Sequence, residues 1–208
     1  MPEDNTAAPA AEPNPLVLAL PVPWRFEGKD YTEIDLRGLA RLTIADAVAA
    51  QLALFSQREV AASALTETTT AFARELAARA TGLPIELFRL APRSLSRRIV
   101  RTVQQYLNRE SRTSGHVLHL ESPCTFEGNT VEEIDLKGIA NLSSLHESEA
   151  ENRLTQAGFL ITETGFNFLY PCILASMATG LPESFFTGLP IAELLKLKAA
   201  VNDPAFFG

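Results

Sequence analysis

Reactive and metal-binding side chains are scarce in this sequence of 208 residues. It contains two cysteines, Cys124 and Cys172, and three histidines. Two cysteines form no disulfide framework, which indicates a reducing compartment. The sequence has no serine-hydrolase elbow, phosphate-cradling glycine loop or zinc-binding His-Glu-x-x-His motif. Enzyme classes that depend on these motifs are therefore disfavoured.

The histidines do not form a convincing metal site. His116 and His119 lie close to Cys124, at the start of a predicted strand. Side chains three residues apart on a strand point to opposite faces, so these two imidazoles cannot chelate as a helical pair would. We expect ordinary strand and linker histidines, and no cofactor or metal.

Segments that cross or enter membranes are also missing from the sequence. The longest apolar run, residues 166–177, is too short and too interrupted to span a bilayer. Residues 1–15 are rich in Ala, Pro, Glu and Asn, without a basic region ahead of an apolar stretch. We therefore expect a disordered leader there rather than a secretory signal.

Charge is unevenly placed along the chain. Residues 1–110 carry 13 basic and 13 acidic side chains, whereas residues 111–208 carry 5 and 12, so the net charge of −7 lies in the second half. One basic patch lies late in the first half; its members are Arg89, Arg93, Arg97, Arg98, Arg101, Arg109 and Arg112. It lacks interleaved aromatic residues for base stacking, so we expect no nucleic-acid partner. We interpret it as the solvated side of an amphipathic helix, or as a surface that docks an acidic patch of this chain or of a neighbouring copy.

An internal repeat organises the chain. Residues 26–42 and 126–142 align without a gap and are identical at ten of seventeen positions. Each copy has a glycine between two short arms, and the second arm alternates acids with Ile34 and Leu36, or with Ile134 and Leu136. This period of two with a central glycine predicts a β-hairpin in each copy.

Helices should follow each hairpin. Thr43 with Asp46, and Ser144 with Glu147, have the spacing of N-terminal capping pairs. The next apolar segments both end in Thr-Gly-Leu-Pro, at residues 81–84 and 179–182, as helix ends do. The sequence thus predicts an α+β, helix-dominated fold of two similar units, each a β-hairpin followed by about three helices. We expect a leader at residues 1–15, units at 16–107 and 116–208, and a linker at 108–115.

The repeated acidic residues are candidates for general acid–base catalysis. Glu33 and Asp35 share one face of a strand, as do Glu133 and Asp135, yet nothing nearby in the sequence would separate their pKa values. We interpret them as a solvated hairpin face or as salt-bridge partners.

Aromatic residues concentrate in the second half, which holds eight of the twelve phenylalanines. Most should be core residues. A partner-binding surface is the alternative, and its candidates are Phe166, Phe168, Phe185, Phe186, Phe206 and Phe207.

The first copy resembles the small tail assembly chaperones of contractile-tailed bacteriophages. The resemblance rests on Gly28, Tyr31, Leu36, Arg37, Thr43, Asp46 and Thr81 to Pro84. Two copies would cover nearly all of residues 16–208. The chain departs from the family in having two units, in lacking the proline after Leu36-Arg37, and in having His146 where copy one has Asp46.

The resemblance implies a non-enzymatic protein of the bacterial host cytoplasm. It would bind the tape measure protein, help tail tube protein polymerise around it, and possess no membrane partner. Self-association is a further expectation. The alternative is a structural component of the phage tail or particle that acts as a tandem interaction module. An enzyme of unknown type is the third hypothesis, and the missing catalytic motifs disfavour it.

Overall fold

A computed structural model describes residues 14–57, 65–108, 113–114, 116–160 and 164–204. Unit one comprises β1 Val17–Phe26, β2 Lys29–Asp35, α1 Ile44–Ser56, α2 Thr70–Thr81, α3 Ile85–Arg89 and α4 Arg93–Leu107. After the short strand β3 Thr113–Ser114, unit two comprises β4 Val117–Phe126, β5 Asn129–Asp135, α5 Ser144–Gln156, α6 Leu169–Thr179, α7 Glu183–Thr187 and α8 Leu194–Val201. The predicted fold of two similar α+β units is confirmed.

Both hairpins have the same turn and the same irregularity. Glu27 and Gly28 adopt φ of 47° and 79°, and Glu127 and Gly128 adopt 50° and 80°. Two successive positive φ values match the twist of a tight antiparallel hairpin. In each hairpin the pairing register shifts in the first strand, between Ala19 and Trp24 in β1 and at the equivalent residues of β4. This repeated bulge bends the strand and frees its middle residues from the ladder.

The apolar side chains of the second hairpin strands are buried in the core of each unit. Ile34, Leu36 and Leu136 are fully buried, whereas Glu33 is exposed. A 3-10 helix at Arg37–Arg41 then turns the chain beneath α2. A Cβ atom on Gly38 would lie 1.8 Å from the carbonyl oxygen of Ala80, so close packing against α2 requires the glycine.

Helix ends follow the predicted motifs, with one correction. The hydroxyl of Thr81 donates to the Ala77 carbonyl at 2.8 Å and accepts the Leu83 N–H at 3.2 Å, ahead of a left-handed Gly82. The prediction that Ser144 and Glu147 cap α5 is wrong. Ser143 is the N-cap, and its N–H donates to Nδ1 of His146 at 3.0 Å, because the helix begins one residue earlier than that pairing requires.

The apolar run at residues 166–177 is α-helical only from its fourth residue. Residues Thr164–Phe166 form a 3-10 turn, and α6 begins at Leu169. The side chain of Asn167 accepts the Leu169 N–H at 2.8 Å, so a polar residue inside an apolar run fixes the helix start.

The two units share a packed interface. Phe72 of α2 and Phe168 of unit two lie with ring centroids 5.2 Å apart, and both side chains are fully buried. The ammonium of Lys198 lies 2.8 Å from the Glu67 carboxylate of unit one. The predicted linker contributes structure of its own, since Thr113–Ser114 pairs antiparallel with the start of β4.

Candidate binding groove

An apolar groove opens on unit one where the β1 bulge faces the first turn of α4. Its cavity measures about 470 Å³. The lining residues from the strand are Leu20, Pro21, Val22, Pro23 and Trp24, and those from the helix are Pro92, Ser94, Leu95 and Arg98. We name this cavity the β1–α4 groove.

Local sequence explains why the β1–α4 groove is apolar and open. Pro21 and Pro23 have no N–H to donate to a strand ladder, so the bulge exposes little hydrogen-bonding backbone. Val22, between them, is 77% exposed. An exposed apolar side chain beside an apolar cavity is a candidate contact residue for a binding partner.

One wall of the groove is held in place by aromatic and charged contacts. The ring of Trp24 lies 5.6 Å from that of Phe26 and 6.4 Å from that of Tyr31, both tilted. The guanidinium of Arg98 donates to the Ala19 carbonyl at 2.8 Å, which ties α4 to the strand. The groove therefore has fixed walls and one positive charge at its edge.

Unit two closes the equivalent position with charges. The counterparts of Pro21, Leu95 and Arg98 are Glu121, Glu193 and Lys196. The side chains of Lys196 and Glu193 are 3% and 2% exposed, and the Lys196 ammonium lies 3.4 Å from both carboxylates. Glu193 also accepts the Glu121 N–H at 2.9 Å. Lys196 and Glu193 thus form a buried ion pair, joined by the partly exposed Glu121, at the position that is apolar in unit one.

The structure corrects the predicted partner-binding phenylalanines. Phe168, Phe185 and Phe186 are buried core residues, so they offer no surface to a partner. Phe185 packs between Phe126 and Phe186, at centroid distances of 5.0 and 5.1 Å.

The other three predicted phenylalanines have different outcomes. Phe166 is half-buried, with the ammonium of Lys198 5.7 Å from its ring centroid. Phe206 and Phe207 lie outside the described residues, and their docking role stays a prediction.

Three titratable groups of the described residues have environments that explain their properties. The Arg37 guanidinium, hydrogen-bonded to Asp35 at 2.6 Å, lowers the pKa of that carboxyl to about 2. His119 Nδ1 lies 2.9 Å from a carboxylate oxygen of Glu133. Burial raises the pKa of the Cys172 thiol. Within the described ranges, no group of three or more His, Cys, Asp or Glu side chains is placed to hold a metal ion.

Part of the basic patch lies along the outer side of α4. Arg93, Arg97 and Arg101 are exposed there, as the amphipathic pattern predicts. Arg109 and Arg112 fall outside the described residues. The β1–α4 groove was missed by the sequence analysis, although two prolines flanking a valine in a strand, next to the single tryptophan, are a signal for it.

Neither the protein-family models, nor the curated proteins, nor the solved structures gave a match to the chain. Among the described helices, none combines the length and the apolar character needed to cross a membrane.

Proposed function

We propose that this protein is a non-enzymatic tail assembly chaperone of a bacteriophage. It binds the tape measure protein in the cytoplasm of the bacterial host and keeps it available while tail tube protein polymerises. The residues shared with that family in copy one support the proposal, as does the open apolar groove, which is the observation that carries it. A long apolar helix needs temporary cover, and a groove with fixed apolar walls supplies such cover.

The occupant proposed for the β1–α4 groove is the apolar face of a tape measure helix. Val22 and Leu20 supply contact area on one side, and Leu95 lies on the other. Arg98 at the edge suits an acidic residue beside the apolar side chains of the occupant. Affinity would come from burial of the exposed valine and its neighbours, at roughly 25 cal/mol per Å² of apolar surface before the entropic cost of association.

Tryptophan fluorescence tests the proposal directly, because Trp24 is the single tryptophan of the chain and lines the groove. Overlapping synthetic peptides that span the tape measure protein of the same phage are titrated into the protein. We expect at least one peptide to shift the Trp24 emission and to saturate. Val22→Ser, which installs the residue found at position 122 of unit two, should weaken that binding about tenfold, since an apolar contact of about 1–2 kcal/mol is lost.

A matched control distinguishes binding in the groove from non-specific hydrophobic binding. Leu160 is 75% exposed and is not part of the groove lining. Leu160→Ser should leave peptide binding unchanged. Absence of a fluorescence response to every tape measure peptide, or equal losses in the two variants, would contradict the proposal.

The alternative is a structural part of the tail or particle, favoured by the packed contact between the two units. Mass spectrometry of purified particles distinguishes the two functions. A chaperone should be missing from mature particles and present in lysates, whereas a structural component should be found in both.

A further inference from the structure

A segment of unit two pairs through its backbone with a segment of unit one. The Ile44 N–H donates to the Leu189 carbonyl at 2.9 Å, and the Ile191 N–H donates to the Leu42 carbonyl at 2.8 Å. We call Leu42 to Ile44 the acceptor edge of unit one, because it receives a docked segment, and Leu189 to Ile191 the donor segment of unit two, because it is the segment that docks. Each of the two donates one backbone hydrogen bond and accepts one. The donor segment adds an extended piece of chain beside the acceptor edge, with Thr43 paired to Pro190.

The reciprocal contact is not made within the described chain. The equivalent acceptor edge of unit two is Leu142 to Ser144, and the equivalent donor segment of unit one is Ala91 to Arg93. In the described ranges these two segments form no backbone pair with each other. A contact between like units that is not reciprocated is heterologous. In the described chain it leaves the donor segment of unit one and the acceptor edge of unit two unpaired with each other.

The free acceptor edge of unit two borders an open groove of about 440 Å³. Its apolar lining consists of Ile139, Leu142, Tyr170, Leu174 and Val201. In unit one the corresponding surface, which includes Ile44 and Phe72, is fully buried where unit two packs on it. The same groove is thus filled in unit one, whereas no residue of the described ranges fills it in unit two.

Substitutions between the repeats make the free surfaces complementary in charge. Ile44 and Ala47 of α1 are buried, whereas Glu147, the counterpart of Ala47 in α5, is exposed at the unfilled groove. The donor residue Ile191 is buried, whereas its counterpart Arg93 is exposed. Apolar residues on the two paired segments are therefore replaced, on the two free segments, by an acid on the acceptor side and a base on the donor side.

The free donor segment keeps apolar character as well. Leu90, which precedes it, is 69% exposed, although its counterpart in unit two is Gly188. We propose that a second copy of this chain docks its segment Leu90 to Arg93 into the unit-two groove. The docked backbone pairs with Leu142 and Ser144, and Arg93 lies beside Glu147. Repetition of this contact builds head-to-tail oligomers, whether or not the chain binds a tape measure protein.

Proline substitutions remove the required N–H groups without disturbing the helices. Ser144 and Arg93 are the first residues of α5 and α4, where proline is tolerated. The preceding residues already have extended ψ values, 169° for Ser143 and 145° for Pro92, as proline requires. Ser144→Pro disables the free acceptor, and Arg93→Pro disables the free donor.

Sedimentation velocity over a range of protein concentrations at low salt is the measurement. We expect wild type to form oligomers larger than dimers, and each proline variant to self-associate about tenfold more weakly, because each loses a hydrogen bond and Arg93→Pro also loses its charge. Ser144→Ala keeps the N–H and should associate as wild type does. Unchanged melting temperatures show that the variants are folded.

Mixing the two proline variants tests the direction of the contact. The intact donor of Ser144→Pro fits the intact acceptor of Arg93→Pro, and both remaining surfaces are disabled. At concentrations where neither variant associates on its own, a 1:1 mixture should therefore form a dimer and no larger oligomer. A monomeric wild type at all concentrations, association that Ser144→Pro leaves unchanged, or a mixture without dimer would each overturn the proposal.

Discussion

Gln51 and Phe168 are joined across the two repeats, where the Phe168 N–H donates to the Gln51 side-chain oxygen at 3.0 Å. The amide nitrogen of Gln51 donates to the Phe166 carbonyl at 3.0 Å and to the Thr66 hydroxyl at 3.2 Å. A buried amide whose oxygen and nitrogen both have partners fixes the entry into α6 against α1.

Removal of the Gln51 amide should destabilise the protein. Gln51→Ala leaves the buried Phe168 N–H and the part-buried Phe166 carbonyl without the Gln51 amide, at a cost of about 1–3 kcal/mol in the free energy of unfolding. Urea denaturation measures it. Glu151, at the matching position of α5, is half-buried and has no such role, so Glu151→Ala should cost less than about 0.5 kcal/mol. Equal losses would mean that the amide does not hold the interface.

The hairpins provide a second test of burial. Leu36 is fully buried and Glu33 is exposed, although both lie in the repeated segment. Leu36→Ala should lower the free energy of unfolding by about 2–5 kcal/mol, because a buried side chain is lost and a cavity remains. Glu33→Ala should change it by less than about 0.5 kcal/mol. Chemical denaturation of the two variants decides whether the alternating pattern assigns the buried face correctly.

Local features of this fold could be predicted from the sequence, and long-range pairings could not. The hairpin turn at Gly28 and the helix end at Gly82 depend on neighbours within a few residues, so their patterns are visible in one copy and repeated in the other. The β1–α4 groove depends on Val22 and Leu95 lining the same cavity, which no periodicity encodes. Burial of Phe185 likewise depends on Phe126, a residue of the distant hairpin.

Position 3 of the first helix in each unit offers a matched pair of variants. Asp46 accepts the Thr43 N–H at 2.9 Å, and His146 accepts the Ser143 N–H at 3.0 Å. Only the aspartate adds a negative charge at the positive end of the helix dipole. His146→Asp should therefore raise the free energy of unfolding by about 0.3–1 kcal/mol, and Asp46→His should lower it by at least as much. Thermal unfolding at low and at high salt measures both, and the gain should shrink as salt screens the dipole.

The Asp35–Arg37 pair predicts a pH dependence with a defined sign. The Arg37 side-chain hydrogen bonds, followed by its backbone N–H, lower the pKa of Asp35 from 3.8 to about 2. Because the folded pKa is the lower one, the pair stabilises the protein fully above the unfolded pKa. That contribution is lost as pH falls from about 4 towards about 2.

Arg37→Lys removes the planar two-atom contact and should move the pKa of Asp35 towards 3.8. Carbon-13 NMR of the Asp35 carboxyl during an acid titration measures the shift. Arg25→Lys, which alters the looser 3.9 Å pair with Asp30, should leave that titration unchanged. A pKa of Asp35 that stays the same in Arg37→Lys would show that the hydrogen bond to the Arg37 N–H, and not the guanidinium, sets it.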